Sequence, residues 1–329
     1  MEGNGKKQIN IREDNKSAVI DLLLRSEMTV LELASALGLS HTAIAKVIRE
    51  LLQKNVVQIS DNIAPCFGRP PKIYCINSAC AITCAVMINS RSIYIYYVDM
   101  RGFQINCIEM ENNFTSAKNM ISVVAEKIRL LRNYPYLIDK EFKYIYIGIP
   151  TEGVCQEDFI TVKSKFDEWF GREFQGIQTV VQCNTNYQLF AELKYGTLCN
   201  KKKNALLIDF GRTITAALFL NGNVYQGDYN SQGQFEGVEP LEGNVDKIEN
   251  TIKSVIKKTV EIIRFLDIHN VVFSGIVKNM EWFMPFVKKE FGDGVACYFS
   301  TMGKNVPPAL SGAVWQATYS TLMKVIVRQ

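Results

Sequence analysis

The chain has 329 residues and a net charge of +4, with 47 % hydrophobic and 21 % charged residues, an ordinary balance for a soluble globular protein. That length allows two or three domains rather than one, and so small a charge confines any nucleic-acid footprint to a local patch. The apolar run at 79–88 is about half the roughly 20 residues of a membrane span, and the opening Met-Glu-Gly-Asn-Gly-Lys-Lys leads into no secretory core, so the expected location is the cytoplasm, with no membrane partner.

Up to about residue 77 the pattern is helical and then turn-rich. Val19, Ile20, Leu23 and Leu24 fall on one side of a first helix. Thr29-Val-Leu-Glu32 reads as a capping box, and Leu31, Leu33, Ala34 and Leu37 make the helix behind it amphipathic. Gly38 can take the left-handed conformation that ends that helix. Ser40 is a good N-cap for a third helix running to about residue 54. Ile44, Val47, Ile48 and Leu51 are spaced for the core, which leaves His41, Thr42, Lys46 and Arg49 on the other side.

Two short helices joined by Gly-Leu-Ser form the helix-turn-helix arrangement. The helices alone also fit a three-helix bundle used for protein contact. The segments 56–59 and 72–76 favour DNA binding, because they look like strands around a loop, which is a wing. That loop holds Gly68-Arg-Pro-Pro-Lys72 and resembles the Gly-Arg-Pro core of AT-hook peptides. An extended Arg69 between glycine and proline can lie in a narrow minor groove, where the potential is most negative. Ser40, His41, Thr42, Lys46, Arg49, Arg69 and Lys72 are therefore the expected DNA-binding residues. His41, Thr42 and Lys46 would lie nearest the bases, Ser40 and Arg49 on phosphates, and Arg69 and Lys72 along the minor groove.

From about residue 79 strands and helices alternate. Strands are expected at 93–99, 105–110, 143–149, 179–182, 205–210, 216–220 and 270–273. Helices are expected at 118–132, 185–195, 245–266, 279–291 and 308–327. Hairpins early in each half predict a mixed-sheet α/β unit built twice. Nine scattered cysteines, an odd number with no Cys-x-x-Cys pair, read as free thiols in a reducing compartment, and no metal site is expected.

The order of these features carries a resemblance. Behind the helix-turn-helix and the Gly-Arg-Pro-Pro loop come a strand ending in Val98-Asp-x-x-Gly102, then Gly148-Ile-Pro150, Cys183-Asn-Thr-Asn186, a hairpin closed by Asn221-Gly222, and Val271-Val-Phe-Ser-Gly275. This resembles the ROK family (repressors, open reading frames and sugar kinases) in its regulator branch, over nearly the whole chain. The resemblance implies a winged helix-turn-helix followed by two actin-like ATPase (ribonuclease H-like) lobes. The expected domains are 1–77, 78–184 completed by the C-terminal helix 308–329, and 185–307. It also implies a cleft that holds sugar and ATP in the kinases, and in the regulators a sugar or sugar phosphate that changes DNA affinity.

The kinase motifs depart from the family pattern. Where the family has Asp-x-Gly-Gly-Thr, this chain has Met87-Ile-Asn-Ser-Arg91. Where the family has Gly-Thr-Gly-x-Gly, this chain has Gly211-Arg-Thr-Ile-Thr215, which puts Cβ atoms where phosphate oxygens would pack. The family's catalytic Asp falls on Asn184, and an amide cannot take a proton from a sugar hydroxyl at neutral pH. Asp209 is the nearest other carboxylate. The Gly-Glu-x-Gly-His sugar pattern has become Gly233-Gln-Phe-Glu-Gly237, without the zinc-binding histidine. Asn184, Asn186, Gln234 and Glu236 are the candidate ligand-binding residues; equally, they fit as loop and cap residues.

A non-catalytic DNA-binding transcriptional regulator follows, a repressor with no cofactor. Its partners would be double-stranded DNA and a sugar or sugar-phosphate effector. One such domain reads too few base pairs, so a homodimer or homotetramer is expected. A sugar kinase with an appended DNA-binding domain, and an effectorless scaffold, are the alternatives.

Overall fold

A computed structural model describes residues 2–62, 70–138, 140–150, 153–199, 204–227, 233–235, 237–303 and 306–327. The N-terminal unit holds α1 (Glu2–Leu23), β1 (Met28–Thr29), α2 (Val30–Leu37), α3 (His41–Gln53), β2 (Val57–Ile59) and β3 (Ile73–Ile76). Its sheet has the order β1-β3-β2, all antiparallel. Val19, Ile20, Leu33, Ile44, Ile48 and Leu51 make its core. Leu31 departs from expectation. It is 71 % exposed, because α2 turns its arc of Leu33 and Ala34 to the core and residue 31 sits off that arc.

The first lobe contains β4 (Ile82–Ile88), β5 (Ser92–Asp99), β6 (Gln104–Glu111), α4 (Ala117–Arg132), α5 (Pro135–Ile138), β7 (Phe142–Ile149), α6 (Phe159–Glu173) and β8 (Gln178–Cys183). α7 (Asn184–Lys194) then crosses to the second lobe. That lobe contains β9 (Ala205–Phe210), β10 (Ile214–Leu220), β11 (Asn223–Val224), α8 (Val245–Phe265), β12 (Asn270–Gly275), α9 (Phe283–Phe291) and β13 (Ala296–Phe299). The chain closes with α10 (Pro308–Val327).

The two sheets have one topology. β6-β5-β4-β7-β8 and β11-β10-β9-β12-β13 each run third-second-first-fourth-fifth. In each, the first three strands are antiparallel and the last two are parallel to the first. The expected mixed sheet built twice is therefore present. Helices α4 and α6 cover the outer face of the first sheet, and α8 and α9 that of the second. Between the sheets lie α10, packed on β4 and β7, and α7, packed on the second sheet through Leu189. The two helices cross at Gly312, where a Cβ would collide with the Tyr187 carbonyl, so only glycine lets the backbones meet there.

The elements that the sequence pattern does not predict include β4, α6 and β13. All seven residues of β4 are buried, so its run is apolar apart from Thr83 and does not alternate. α6 starts at an Asp158 cap whose carboxylate accepts from the Thr161 amide at 2.9 Å. β13 is a short edge strand parallel to β12. The helix expected from 279 begins at Phe283, behind a 3₁₀ turn at Ile276–Asn279.

Candidate functional site

Two places combine exposed chemistry with rigid support. The first is the N-terminal unit. Thr29 Oγ1 accepts from the Glu32 amide at 3.2 Å and the Glu32 carboxylate accepts from the Thr29 amide at 2.7 Å, closing the capping box. Those bonds hold the Glu32 carboxyl below its ordinary range. Gly38 ends α2 at φ 65°, and Ser40 caps α3 by accepting from the Ala43 amide at 3.2 Å. The helix axis turns by 118° between α2 and α3, within the range of a helix-turn-helix.

α3 buries Ile44, Val47, Ile48 and Leu51. His41, Thr42, Lys46 and Arg49 are all exposed, and Thr42, Lys46 and Arg49 recur at the spacing of one helix face. Ser40 is exposed as well, with its hydroxyl engaged in the cap. Lys72 is exposed at the root of β3. Arg69 lies outside the described residues.

The wing root is fastened by residues that no local pattern marks. Glu27 accepts from Ser60 Oγ at 2.5 Å and Asn62 Nδ2 at 2.7 Å, and pairs with Arg101 Nη1 at 3.3 Å. The Ser60 bond, the Asn62 bond and the Arg101 charge outweigh burial and hold the Glu27 carboxyl low. Arg101 belongs to the β5–β6 turn and donates from Nε to the Ile76 carbonyl at 2.8 Å. Glu27, the Ser60–Asn62 turn and Arg101 are far apart in sequence, so a local reading cannot bring them together.

The second place is a cleft of about 520 Å³ between the lobes. It opens at the carboxyl ends of β4, β7, β9 and β12, where open α/β sheets take ligands. Asn89 and Ser90 line one wall, and Gly211, Arg212 and Thr213 the other. These are the two stretches that match the family's phosphate loops. Arg212 is held at the rim by Glu242 at 2.7 Å.

Asn184, the residue at the family's catalytic base, lies at the start of α7. Its Nδ2 donates to the Ile88 carbonyl at 2.8 Å and to Asn89 Oδ1 at 3.1 Å. Its Oδ1 has no partner among the described residues. Thr185 and Thr215 hydroxyls meet at 2.7 Å, and Gln188 Nε2 donates to Ser274 Oγ at 2.7 Å. Ser274 Oγ in turn donates to Asp209 Oδ1. Burial pushes the Asp209 carboxyl above its ordinary range, opposed by the Ser274 and Gln188 bonds and by the Lys278 charge.

Of the four expected ligand residues, only Asn184 lines this cleft. Asn186 is 1 % exposed on the side of α7 turned into the protein. Gln234 is exposed and forms a β-bridge with Thr215, a residue of the cleft lining, without lining the cleft itself. Glu236 lies outside the described residues. Asp209, Gln188, Ser274 and Lys278 also line the cleft, although the sequence pattern does not single them out as ligand residues. Asp209 stands out in sequence only as a substitute base, Ser274 only within Val271-Val-Phe-Ser-Gly275, and Gln188 and Lys278 not at all. Among the described residues no cluster of histidine, cysteine or acidic side chains could hold a metal, and no single helix is long and apolar enough to cross a membrane.

Comparison with known proteins bears on both places. Residues 6–79 match the family model described as sugar-specific transcriptional regulator TrmB. No curated protein sequence matches. Among solved structures, one described as a ROK family transcriptional regulator, a homolog of the E. coli MLC protein, is 13 % identical with a TM-score of 0.70. The match covers 97 % of this chain and 100 % of that one. A ROK hexokinase from Thermus thermophilus is 12 % identical at TM-score 0.53, covering 73 % of this chain and 99 % of that one. A ROK family protein from Streptococcus pneumoniae, solved in complex with sucrose, is 12 % identical at TM-score 0.51 with the same coverage. The regulator shares the whole fold, including the N-terminal unit. The other two share the lobes.

Proposed function

We propose that this chain is a sequence-specific, duplex-DNA-binding transcriptional repressor whose two lobes sense a ligand without catalysing a reaction on it. The observation that carries this reading is α3. One face of it is the core of a capped, tightly turned helix pair. The other presents His41, Thr42, Lys46 and Arg49 to solvent, beside a wing whose root is clamped by Glu27. That is the geometry of a helix placed in a major groove, with side chains on the bases and a wing over the neighbouring backbone. The match of residues 6–79 to a transcriptional-regulator family supports it. Arg69 and Lys72 complete the interface along the minor groove, and Ser40 and Arg49 add phosphate contacts.

The lobes support the non-catalytic half. A phosphoryl-transfer enzyme needs a base on the acceptor hydroxyl and a cradle for the phosphates. The amide of Asn184 is no base. The first loop, Asn89-Ser-Arg91, and the second, Arg212-Thr213, carry side chains where glycines would admit phosphate. Asn184 is proposed to serve a polar effector of sugar or sugar-phosphate type, with Gln234 and Glu236 as further candidates, whereas the buried Asn186 is turned away from the cleft. The protein would act as a homodimer or homotetramer on a two-fold site in the cytoplasm.

Selection from a random duplex library at fixed salt tests the reading. One enriched motif with two-fold symmetry is expected, weakened by Lys46→Ala and by Arg69→Ala. Absence of any enriched sequence, or sugar-dependent ATP turnover by the purified chain, overturns it.

A further inference from the structure

The winged helix is joined to the rest of the molecule in two chemically different ways. Toward the first lobe the joint has an apolar core, beside the Arg101 bonds to Glu27 and Ile76. Leu322 of α10, Met100 and Ala81 are fully buried in the same cluster as Val19, Ile20, Leu33 and Ile44. Toward α7 the joint is polar. Lys194 Nζ lies 2.8 Å from Asp21 Oδ1, and Asp21 Oδ2 lies 2.9 Å from Arg25 Nη2. Arg25 Nη1 donates to Cys199 Sγ at 3.4 Å, just beyond α7. The Lys194 ammonium also sits 4.0 Å above the Trp315 ring, which stacks on Tyr319 at 4.9 Å.

These joints respond differently to movement. A close-packed apolar core shears only by opening voids or exposing apolar area, so the winged helix must travel with α10 and the first lobe. Partly exposed ion pairs exchange readily with water, each worth about 1 kcal/mol or less. The α7 joint is therefore the one that can open and close. The far end of α7 lies in the cleft, where Asn184 ties it to Ile88 and Asn89 of the first lobe. Its middle lies between the lobes, packed on α10 and the first sheet through Tyr187 and on the second sheet through Leu189.

We propose that the Asp21–Lys194 contact is a latch that reports the relative position of the two lobes to the DNA-binding domain, with α7 as the connecting rod. With the latch closed, α1 is pinned to both lobes. When the second lobe tilts α7 about its crossing with α10 at Gly312, Lys194 and Cys199 leave Asp21 and Arg25, and the winged helix is held by α10 and the first lobe alone. Its orientation, and hence its fit to a two-fold DNA site, then changes. The inference rests on the DNA-binding reading for its consequence, but the latch itself is measurable without DNA.

Amide hydrogen exchange on the full chain tests it, with Asn184→Ala perturbing the cleft end, Lys194→Met opening the latch, and the double variant. Each single variant is expected to speed exchange in residues 18–25 by about fivefold, the lower end of ordinary coupling energies. The double variant should be no faster than Lys194→Met alone, and Lys194→Arg should stay as wild type. Unchanged exchange at 18–25 in Asn184→Ala, or effects of the two substitutions that multiply, overturns the latch. In a parallel arm, affinity for the selected duplex should shift by a similar factor in both single variants. Failure to select any duplex sinks the DNA-binding reading and leaves the exchange arm to decide the latch.

Discussion

Replacing Leu322 with alanine should damage the DNA-binding domain from the opposite end of the chain. Leu322 is fully buried, in one cluster with Val19, Ile20, Leu33, Ile44 and Leu51 of the winged helix and with Ala81 and Met100 at the start of the first lobe. Leucine-to-alanine changes at such sites cost about 3 kcal/mol, within a range of roughly 2–5, through reduced burial and an unfilled cavity. A domain whose total stability is about 5–15 kcal/mol would lose a large share of it. Leu310→Ala on the same helix is the control, because Leu310 is equally buried but packs with Tyr187 and Ala85 between the lobes. Amide exchange resolved by segment distinguishes the two. Leu322→Ala should deprotect 19–51 and weaken duplex binding while β4 and β9 stay protected, and Leu310→Ala should do the reverse. If Leu322→Ala leaves 19–51 as protected as in wild type, the shared core is wrong, and with it the claim that the winged helix travels with the first lobe.

Other consequences are smaller but direct. Ser40→Ala removes the cap of α3 and should cost about 1 kcal/mol, read as a lower urea midpoint with an unchanged m-value. Lys46→Ala and Arg49→Ala, tested against salt, should separate roles. Truncating a side chain that binds phosphate lowers the salt slope by about 1 and weakens all duplexes alike, whereas truncating one that reads a base relaxes a single position of the motif. Asp209 should make stability depend on pH. Its folded carboxyl keeps a proton that the unfolded chain has already released, so stability falls as pH rises through that interval. Asp209→Asn should therefore raise the urea midpoint at neutral pH and flatten the difference between acid and neutral. A variant that is less stable at neutral pH would mean that the buried carboxylate is favourably held.

The legible parts of this protein are those whose causes are local. The capping box at Thr29, the left-handed Gly38 and the Ser40 cap each lie within four residues of what they control, so the helix pair can be read directly. The exposed face of α3 follows from the spacing of its buried residues. The lobes are legible as a repeated order of hairpin and helix, but β4 is not. A central strand covered on both faces loses the alternation that betrays an edge strand. The cleft is the least legible. Asn186 sits two residues past Asn184, and on a helix that spacing turns a side chain about 200° away, so the motif's second asparagine points into the protein. Asp209, Gln188 and Ser274 meet on the cleft floor from β9, α7 and β12, and no sequence window contains all three.

The surviving geometry also explains how the chain could keep a kinase-like fold while its catalytic motifs diverge. Catalysis in such a fold depends on the ends of a few strands and one carboxylate, and those are the positions altered here, at Met87, Asn184 and Arg212. Under the latch proposal, lobe movement is carried instead by two helices that cross where a glycine lets their backbones touch, at Gly312. The crossing lies between the cleft at one end and the winged-helix core at the other. Selection on phosphoryl transfer and selection on lobe movement therefore act on different residues. Substituting Gly312 with alanine should expose this separation. It would force α7 and α10 apart, at an overpacking cost of about 1–3 kcal/mol, and should uncouple the cleft end of α7 from α1 without touching the DNA-facing surface. The check is amide exchange at 18–25 in Gly312→Ala with and without Asn184→Ala. The two traces should coincide, and a full Asn184 response in the Gly312 variant would show that the signal travels by another route.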